Sequence, residues 1–314
     1  MNRSKWGAIG AALALASASA HAVTIDFDYS FDDGASRLGS GQRAILDFVA
    51  DEFGRRIGDS LDAAFYSSID FFDPGAGSVG ASLPRVSLAN QAIAADSLRI
   101  YVGVSELDGF GVSTVGISGP GGASGRILDR GEAGVGTIDF APWGGSIAFD
   151  SSTNWYVDDD PATAEAFTGI DFYSIAVHEL GHVLGVGTSG SWFNQIGAGG
   201  FEGGASVAAY SDASARPQAA VPLEPGDGHW AEGTQSFADG VLLEASLDPS
   251  IRAGQRKPYT DLDWAALADV GWEVAPASAV PETGRFAMML AGLGVLGASA
   301  RRRTARSVRN AASG

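Results

Sequence analysis

Val23, Ile25, Phe27 and Tyr29 alternate with Thr24, Asp26, Asp28 and Ser30. Successive side chains of a strand point to opposite faces, so this period of two predicts a half-buried strand. The period then lengthens. Leu46, Val49, Phe53 and Ile57 fall at helical spacing and predict a helix over 42–57. Residues 68–72 read as a short strand ended by Asp73, Pro74 and Gly75, whereas 74–97 are rich in Gly, Ala and Ser and carry no clear period. Leu98, Ile100, Val102 and Val104 alternate again, another strand. Residues 119–125 read as a glycine-rich loop. Two short strands are expected at 137–141 and 146–150, and an acidic loop at 155–161.

From Phe172 the pattern is helical and apolar nearly all round, with Asp171 placed to cap it and Gly185 or Gly187 placed to end it. Residues 188–228 are again rich in Gly, Ala and Ser, with one short helix expected around 205–210. A last helix is expected over 262–270, stopping at Gly271. No internal repeat is visible. The order of strand, helix, several strands, a central helix, a long loop and a last helix reads as an α+β domain.

The central helix carries the chemistry. His178, Glu179 and His182 form the pattern His-Glu-x-x-His. Positions i and i+4 lie one above the other on a helix, so both imidazoles can face one metal ion. Glu179, beside the first ligand, can reach a water at that ion. Neutral nitrogen ligands, an open coordination position and a nearby base are what a zinc hydrolase needs.

Composition limits the rest of the site. The 314 residues contain no cysteine, which excludes disulfides and thiolate metal sites. Three protein ligands plus water are usual at a catalytic zinc, and the chain has four histidines. One is His21, near the N-terminus; two are in the motif; the fourth is His229. This scarcity makes His229 the candidate third ligand. A solvated loop histidine and a carboxylate ligand, from Glu202, Glu224 or Asp227, are the alternatives.

The formal net charge is −17, with 37 acidic residues against 20 basic ones. Both ends are basic and free of acid, so the body is more acidic than the total. An acidic body argues against nucleic-acid binding. Residues 1–22 read as a secretory signal peptide: Arg3 and Lys5, an apolar run, then Ala20-His21-Ala22 as the cleavage site. Residues 23–276 form the expected domain. Residues 277–314 form a linker and tail, in which Val280-Pro281-Glu282-Thr283 precedes an uncharged stretch, 286–300, and the cluster Arg301-Arg302-Arg303. That stretch falls short of the roughly 20 residues of a spanning helix, and the arginines would stay on the cytoplasmic side.

The tail resembles the PEP-CTERM sorting signal of Gram-negative bacteria, with Thr283 where the second proline is usual. The resemblance implies export, an exosortase-type partner and transient anchoring in the inner membrane by a short hydrophobic helix. The central motif, His178 to Gly185, is similar to the start of the metzincin signature His-Glu-x-x-His-x-x-Gly-x-x-His. Phe149, Asp150 and Trp155 look like the run before the active-site helix in matrixins. Thr188 stands where the third histidine would be, and His229 matches the displaced third histidine of leishmanolysin-like members. The resemblance, which covers roughly 130–275, implies a twisted, mostly parallel sheet, an active-site helix and a C-terminal helical subdomain. It also implies a secreted zinc endopeptidase acting on proteins or peptides, with zinc on His178, His182 and His229 and Glu179 as general base.

By the same resemblance, residues 137–141 would be the edge strand that pairs with substrate, and Tyr259 an oxyanion donor or a packed tyrosine. Metzincins place a methionine in a tight turn beneath the zinc. The three methionines here are Met1, Met288 and Met289, and Leu243 is aligned as the substitute. Asp150, Asp158, Asp159 and Asp160 suit calcium or a solvated acidic loop. Two other functions stay open: a non-catalytic extracellular matrix or surface protein on the same scaffold, and a zinc hydrolase with a non-peptide substrate.

Overall fold

The computed structural model describes residues 23–33, 36–77, 82–107, 114–124, 140–163 and 165–275. The chain divides into Met1–Val274 and Ala275–Gly314, and the description concerns the first unit. The expected signal peptide, the sorting tail with its apolar stretch, and residues 137–139 lie outside the described residues.

Strand β1 (Thr24–Asp28) runs parallel to β4 (Ser97–Ser105), with Ile25 opposite Leu98 and Phe27 opposite Ile100. Strand β4 runs parallel to β6 (Gly144–Asp150), and β5 (Gly116–Pro120) lies antiparallel on the outer side of β6. The order β1-β4-β6-β5 gives a mostly parallel sheet with one antiparallel edge. All of β6 is buried. A central parallel strand covered on both faces has no polar side to show, so alternation fades there.

Helix α1 (Ser40–Arg56) packs on one face beside β1 and the central helix α2 (Phe172–Val183). The Gln42 carboxamide reaches back to accept from the Gly39 amide at 2.9 Å and caps α1. Leu46, Val49 and Phe53 of α1 share one core with Ile100, Ile147, Phe149, Val177 and Leu180. The opposite face is covered by an antiparallel pair, β2 (Ala64–Phe72) and β3 (Arg85–Ile93). Its aromatic cluster centres on Phe71 stacked on Tyr101 at 4.2 Å, with Trp143 fully buried beside them.

Strands β7 (Trp155–Tyr156) and β8 (Ile170–Asp171) pair in parallel just before α2. Beyond α2 come α3 (Gly190–Phe193), the pair β9 (Ile196–Gly197) and β10 (Gly200–Phe201), and α4 (Gly204–Ala213). Strands β11 (Gln235–Ala238) and β12 (Val241–Glu244) form a hairpin, and α5 (Asp261–Asp269) follows. The expected C-terminal helical subdomain is not separate. Trp264 and Leu267 of α5 belong to the same core as Phe53 of α1, and Trp264 packs on Phe53 at 4.6 Å.

Candidate metal centre

Helix α2 starts where the sequence predicts. Asp171 Oδ2 accepts from the Ser174 amide at 3.3 Å and the Ser174 hydroxyl at 2.6 Å, a cap of about 1 kcal/mol. Arg256 donates from Nε and Nη2 to the same carboxylate, both at 3.0 Å, and from Nη2 to Asp158 at 2.7 Å. The helix N-terminus is thereby fastened to a segment 85 residues away. At the other end the chain turns through Gly185 (φ +108) and Gly187 (φ +72), in the left-handed region that glycine tolerates. Any Cβ at Gly187 would strike the Gly228 backbone, so this glycine also lets the loop before His229 close over the helix end.

The structure brings His178, His182 and His229 together. Each ring is held from behind at Nδ1. His178 donates to the Ser246 carbonyl at 2.7 Å, His182 to the Val186 carbonyl at 2.8 Å, and His229 to the Glu224 carboxylate at 2.5 Å. All three oxygens accept, so Nδ1 carries a proton in each ring. The three Nε2 atoms converge: His182 lies 3.1 Å from His178 and 3.0 Å from His229. Between His178 and His182, whose burial disfavours a second proton, the close approach sets lone pair against lone pair. A cation resolves that repulsion. Zn–N bonds of about 2.0–2.1 Å in a tetrahedral shell put ligand nitrogens roughly 3.3 Å apart, close to what the rings present. Burial and the neighbouring imidazoles push His182 down to about 4 and His178 well below its ordinary value, so both imidazoles are neutral at pH 7.

Trp230 explains how a loop histidine holds its place. Its indole is fully buried, packs on Trp192 at 5.1 Å and Phe201 at 5.7 Å, and donates to Asp263 at 3.0 Å. Burying such a ring stabilises the loop by about 2–3 kcal/mol. Asp263 is a buried hub. Besides Trp230 it accepts from the amides of Ser246, Leu247 and Thr260 and from the Thr260 hydroxyl. One carboxylate on α5 thus ties the His229 loop to the segment that holds His178.

Glu179 is 5% exposed, and burial pushes its carboxyl up to about 7. It faces β5. Ser118 donates its hydroxyl to the Glu179 carbonyl at 2.7 Å. The open cleft above the site, about 630 Å³, has Thr114 to Ser118 on one wall, His178, Glu179 and His182 on the floor, and Ser246 and Pro249 opposite. Lys257, the basic residue of that lining, is buried, and its ammonium is held by Asp248 and the Ser250 carbonyl.

Several expectations need correction. Strand β5 borders the cleft; of the expected strand 137–141 only Phe140 and Ala141 are described, both buried without regular structure, and part of the expected 119–125 loop is in β5. Leu243 lies on the β12 hairpin and is half-buried. Leu247 is the fully buried leucine under α2, 3.2 Å from where a Gly181 Cβ would be. Tyr259 is a core residue between Phe53 and Trp264, both at 4.8 Å, and does not line the cleft. Of the alternative ligands, Glu224 stands behind His229, Glu202 packs on Gly197, and Asp227 occupies a turn at φ +57. Among the described residues, the carboxylates of Asp150, Asp158, Asp159 and Asp160 do not gather as one ligand group. Asp150 binds the Leu107 and Ser152 amides and the Ser152 and Thr153 hydroxyls, and Asp158 binds Arg256.

The sequence reading missed Gly116, Ser118, Ser246, Leu247 and Asp263. Only Asp263 had a local signal, the capping-box spacing Thr260-x-x-Asp263.

Comparison with known proteins agrees with this geometry over a limited stretch. Residues 125–191 match the matrixin family model. Metalloendoproteinase 1-MMP of Arabidopsis thaliana is 42% identical over 50 residues, 16% of this chain and 14% of that protein. Metalloendoproteinase 1 of Glycine max is 40% identical over 50 residues, 16% of each chain. This chain therefore spans less than a fifth of either relative. No solved structure matches it significantly. The matched family segment includes His178, Glu179 and His182; His229 lies beyond it. The similarity to matrixins and to the two metalloendoproteinases is thus confined to a short part of the chain.

Proposed function

We propose that the protein is an exported zinc endopeptidase on a metzincin-like fold, in which His178, His182 and His229 hold the metal. The observation that carries this reading is the convergence of three imidazoles beside a buried carboxylate, with His182 Nε2 3.1 Å from that of His178 and 3.0 Å from that of His229. Three imidazoles without thiolate or a ligating carboxylate suit zinc and leave a fourth position open.

A bound zinc ion supplies Lewis acidity for the scissile carbonyl and acidifies water at the site. Glu179 takes the proton of the attacking water and delivers it to the leaving amine. Among the described residues no strand pairs with the outer edge of β5 beside the cleft, so an extended peptide would add there as a strand. His229 follows a long insertion after the motif, the leishmanolysin-like arrangement. Secretion by residues 1–22, sorting by 277–314 with an exosortase-type partner, and transient membrane anchoring by 286–300 complete the proposal. No helix among the described residues is long and apolar enough to cross a membrane.

Glu179 also argues against a non-catalytic scaffold, since metal binding alone requires no base there. The test is metal analysis with a proteolysis assay on a generic unfolded protein, with and without chelator. The parent should hold one zinc and cleave. Glu179→Ala should keep the zinc and lose about 10²–10⁴-fold in kcat. His229→Ala should lose the zinc. A zinc-free, inactive parent, or full activity in Glu179→Ala, would falsify the assignment.

A further inference from the structure

Strand β5 meets the base at two points. Ser118 fixes the Glu179 carbonyl, and two residues earlier Gly116 lies against the side chain. A Cβ at Gly116 would fall 2.8 Å from Glu179 Cδ and 3.0 Å from Cγ, and closer still to Oε1. Carbon atoms in contact sit about 3.5–4.0 Å apart, so even a methyl group does not fit with the carboxylate where it is. Residue 116 is also part of the edge pairing, opposite Phe149 of β6, and lines the cleft. Its φ is not in the left-handed region, so the backbone itself does not require glycine.

We propose that Gly116 is a positioning residue for Glu179: the missing side chain leaves the gap in which the carboxylate rests, and the edge strand holds the base in line with the three histidines. The proposal rests on the peptidase reading of the site. It makes β5 serve twice, as the edge offered to substrate and as the back wall of the base. Ser118 ties the backbone of Glu179 to the same strand.

The contact predicts a sign that a merely structural glycine would not give. Replacing a strand glycine by alanine, where the backbone allows it, removes conformational freedom from the unfolded chain and usually stabilises. Overpacking against Glu179 does the reverse. The experiment is a double-mutant cycle on the metal-free protein, read as Tm, followed by kinetics on the zinc-loaded protein. Gly116→Ala should lower Tm by roughly 3–8 °C in the parent. In the Glu179→Ala background the same change should leave Tm level or raise it. Zinc-loaded Gly116→Ala should retain its metal and lose about tenfold or more in kcat with KM within about twofold, because a small misplacement of a reacting group is costly while substrate binding is not. Equal Tm losses in both backgrounds, or thermal coupling with unchanged kcat, or a loss confined to KM, each overturns the proposal. If the parent binds zinc and shows the coupling but cleaves nothing, the peptidase reading is what fails, and the positioning role fails with it.

Discussion

Among the described residues, two groups of side chains have the spacing a metal ion would need. One is His178, His182 and His229; the other is Glu232, Glu244 and Asp248. They differ in what completes them. The carboxylates gather around Lys257, whose ammonium bonds to Asp248 and lies 3.6 Å from Glu244, while Glu232 accepts the Ser250 hydroxyl. The chain supplies its own cation there. Among the described residues the histidines gather round no such side chain: each Nδ1 proton points away into the protein, and the three Nε2 atoms face one another. Convergence of ligand atoms is therefore a poor guide to a metal site until the protons have been placed. A group closed by lysine is structural, and a group of acceptors alone is incomplete without an added ion.

Removing the internal cation should have the largest effect. Lys257→Met leaves Asp248, whose side chain is fully buried, and Glu244, largely so, without a counter-charge. Breaking a buried pair from one side costs about 3–5 kcal/mol. Urea unfolding should show that loss with the zinc content of the folded fraction intact. A stability within about 1 kcal/mol of the parent would mean that the carboxylates are not held by Lys257.

Acid separates the two groups next. Burial and the neighbouring His229 lower His182 from its ordinary value to about 4, so at pH 4 the folded protein binds fewer protons than the unfolded chain. Its contribution to stability is present above the unfolded value near 6.5 and disappears as pH falls through about 4. The metal-free protein should lose up to about 3 kcal/mol over that window from this group. Bound zinc, which competes with those protons, should move the loss to lower pH. Tm measured from pH 7.5 to 4, with and without zinc, checks both statements; superposable profiles would contradict them.

Glu224 offers a smaller and more local disturbance. It touches no metal position, but it fixes the His229 proton on Nδ1. Removing such an outer partner typically costs 10–100-fold in metal affinity. Glu224→Ala should weaken zinc by that factor in a competition titration, with little change in the stability of the metal-free protein.

The histidine group was partly legible in the sequence, for physical reasons. The His-Glu-x-x-His spacing fixes two ligands and the base on one helix face, whatever surrounds them. His229 was reachable by counting, because the domain has so few histidines, and the structure places its Nε2 3.0 Å from that of His182. Strands β1 and β4 and helix α1 were readable from period alone. What was illegible depends on neighbours. Strand β5, Gly-Ile-Ser-Gly-Pro, is half-buried along its whole length and so shows no alternation. Strand β3 is mostly exposed, and its partner β2 supplies what its own pattern lacks. The gap at Gly116 exists only because α2 brings Glu179 to it.

The floor under the histidines carries the smallest expected effect. Sequence alignment favoured Leu243, but the hairpin puts Val241 and Leu242 beside it at 56% and 43% exposure, at the surface of the molecule. Leu247 is fully buried, and its amide is fixed by Asp263 at 3.2 Å, next to the Ser246 carbonyl that orients His178. If that floor acts by filling volume, Leu247→Met should be tolerated. Leucine and methionine differ little in size, and such exchanges usually cost less than about 1.5 kcal/mol. Zinc affinity and kcat should then stay within about threefold of the parent. If instead the thioether tunes the site, the same exchange should raise kcat or tighten zinc well beyond that range. Leu243→Met, on the exposed hairpin, should do neither, and an effect of equal size there would remove Leu247 from this role.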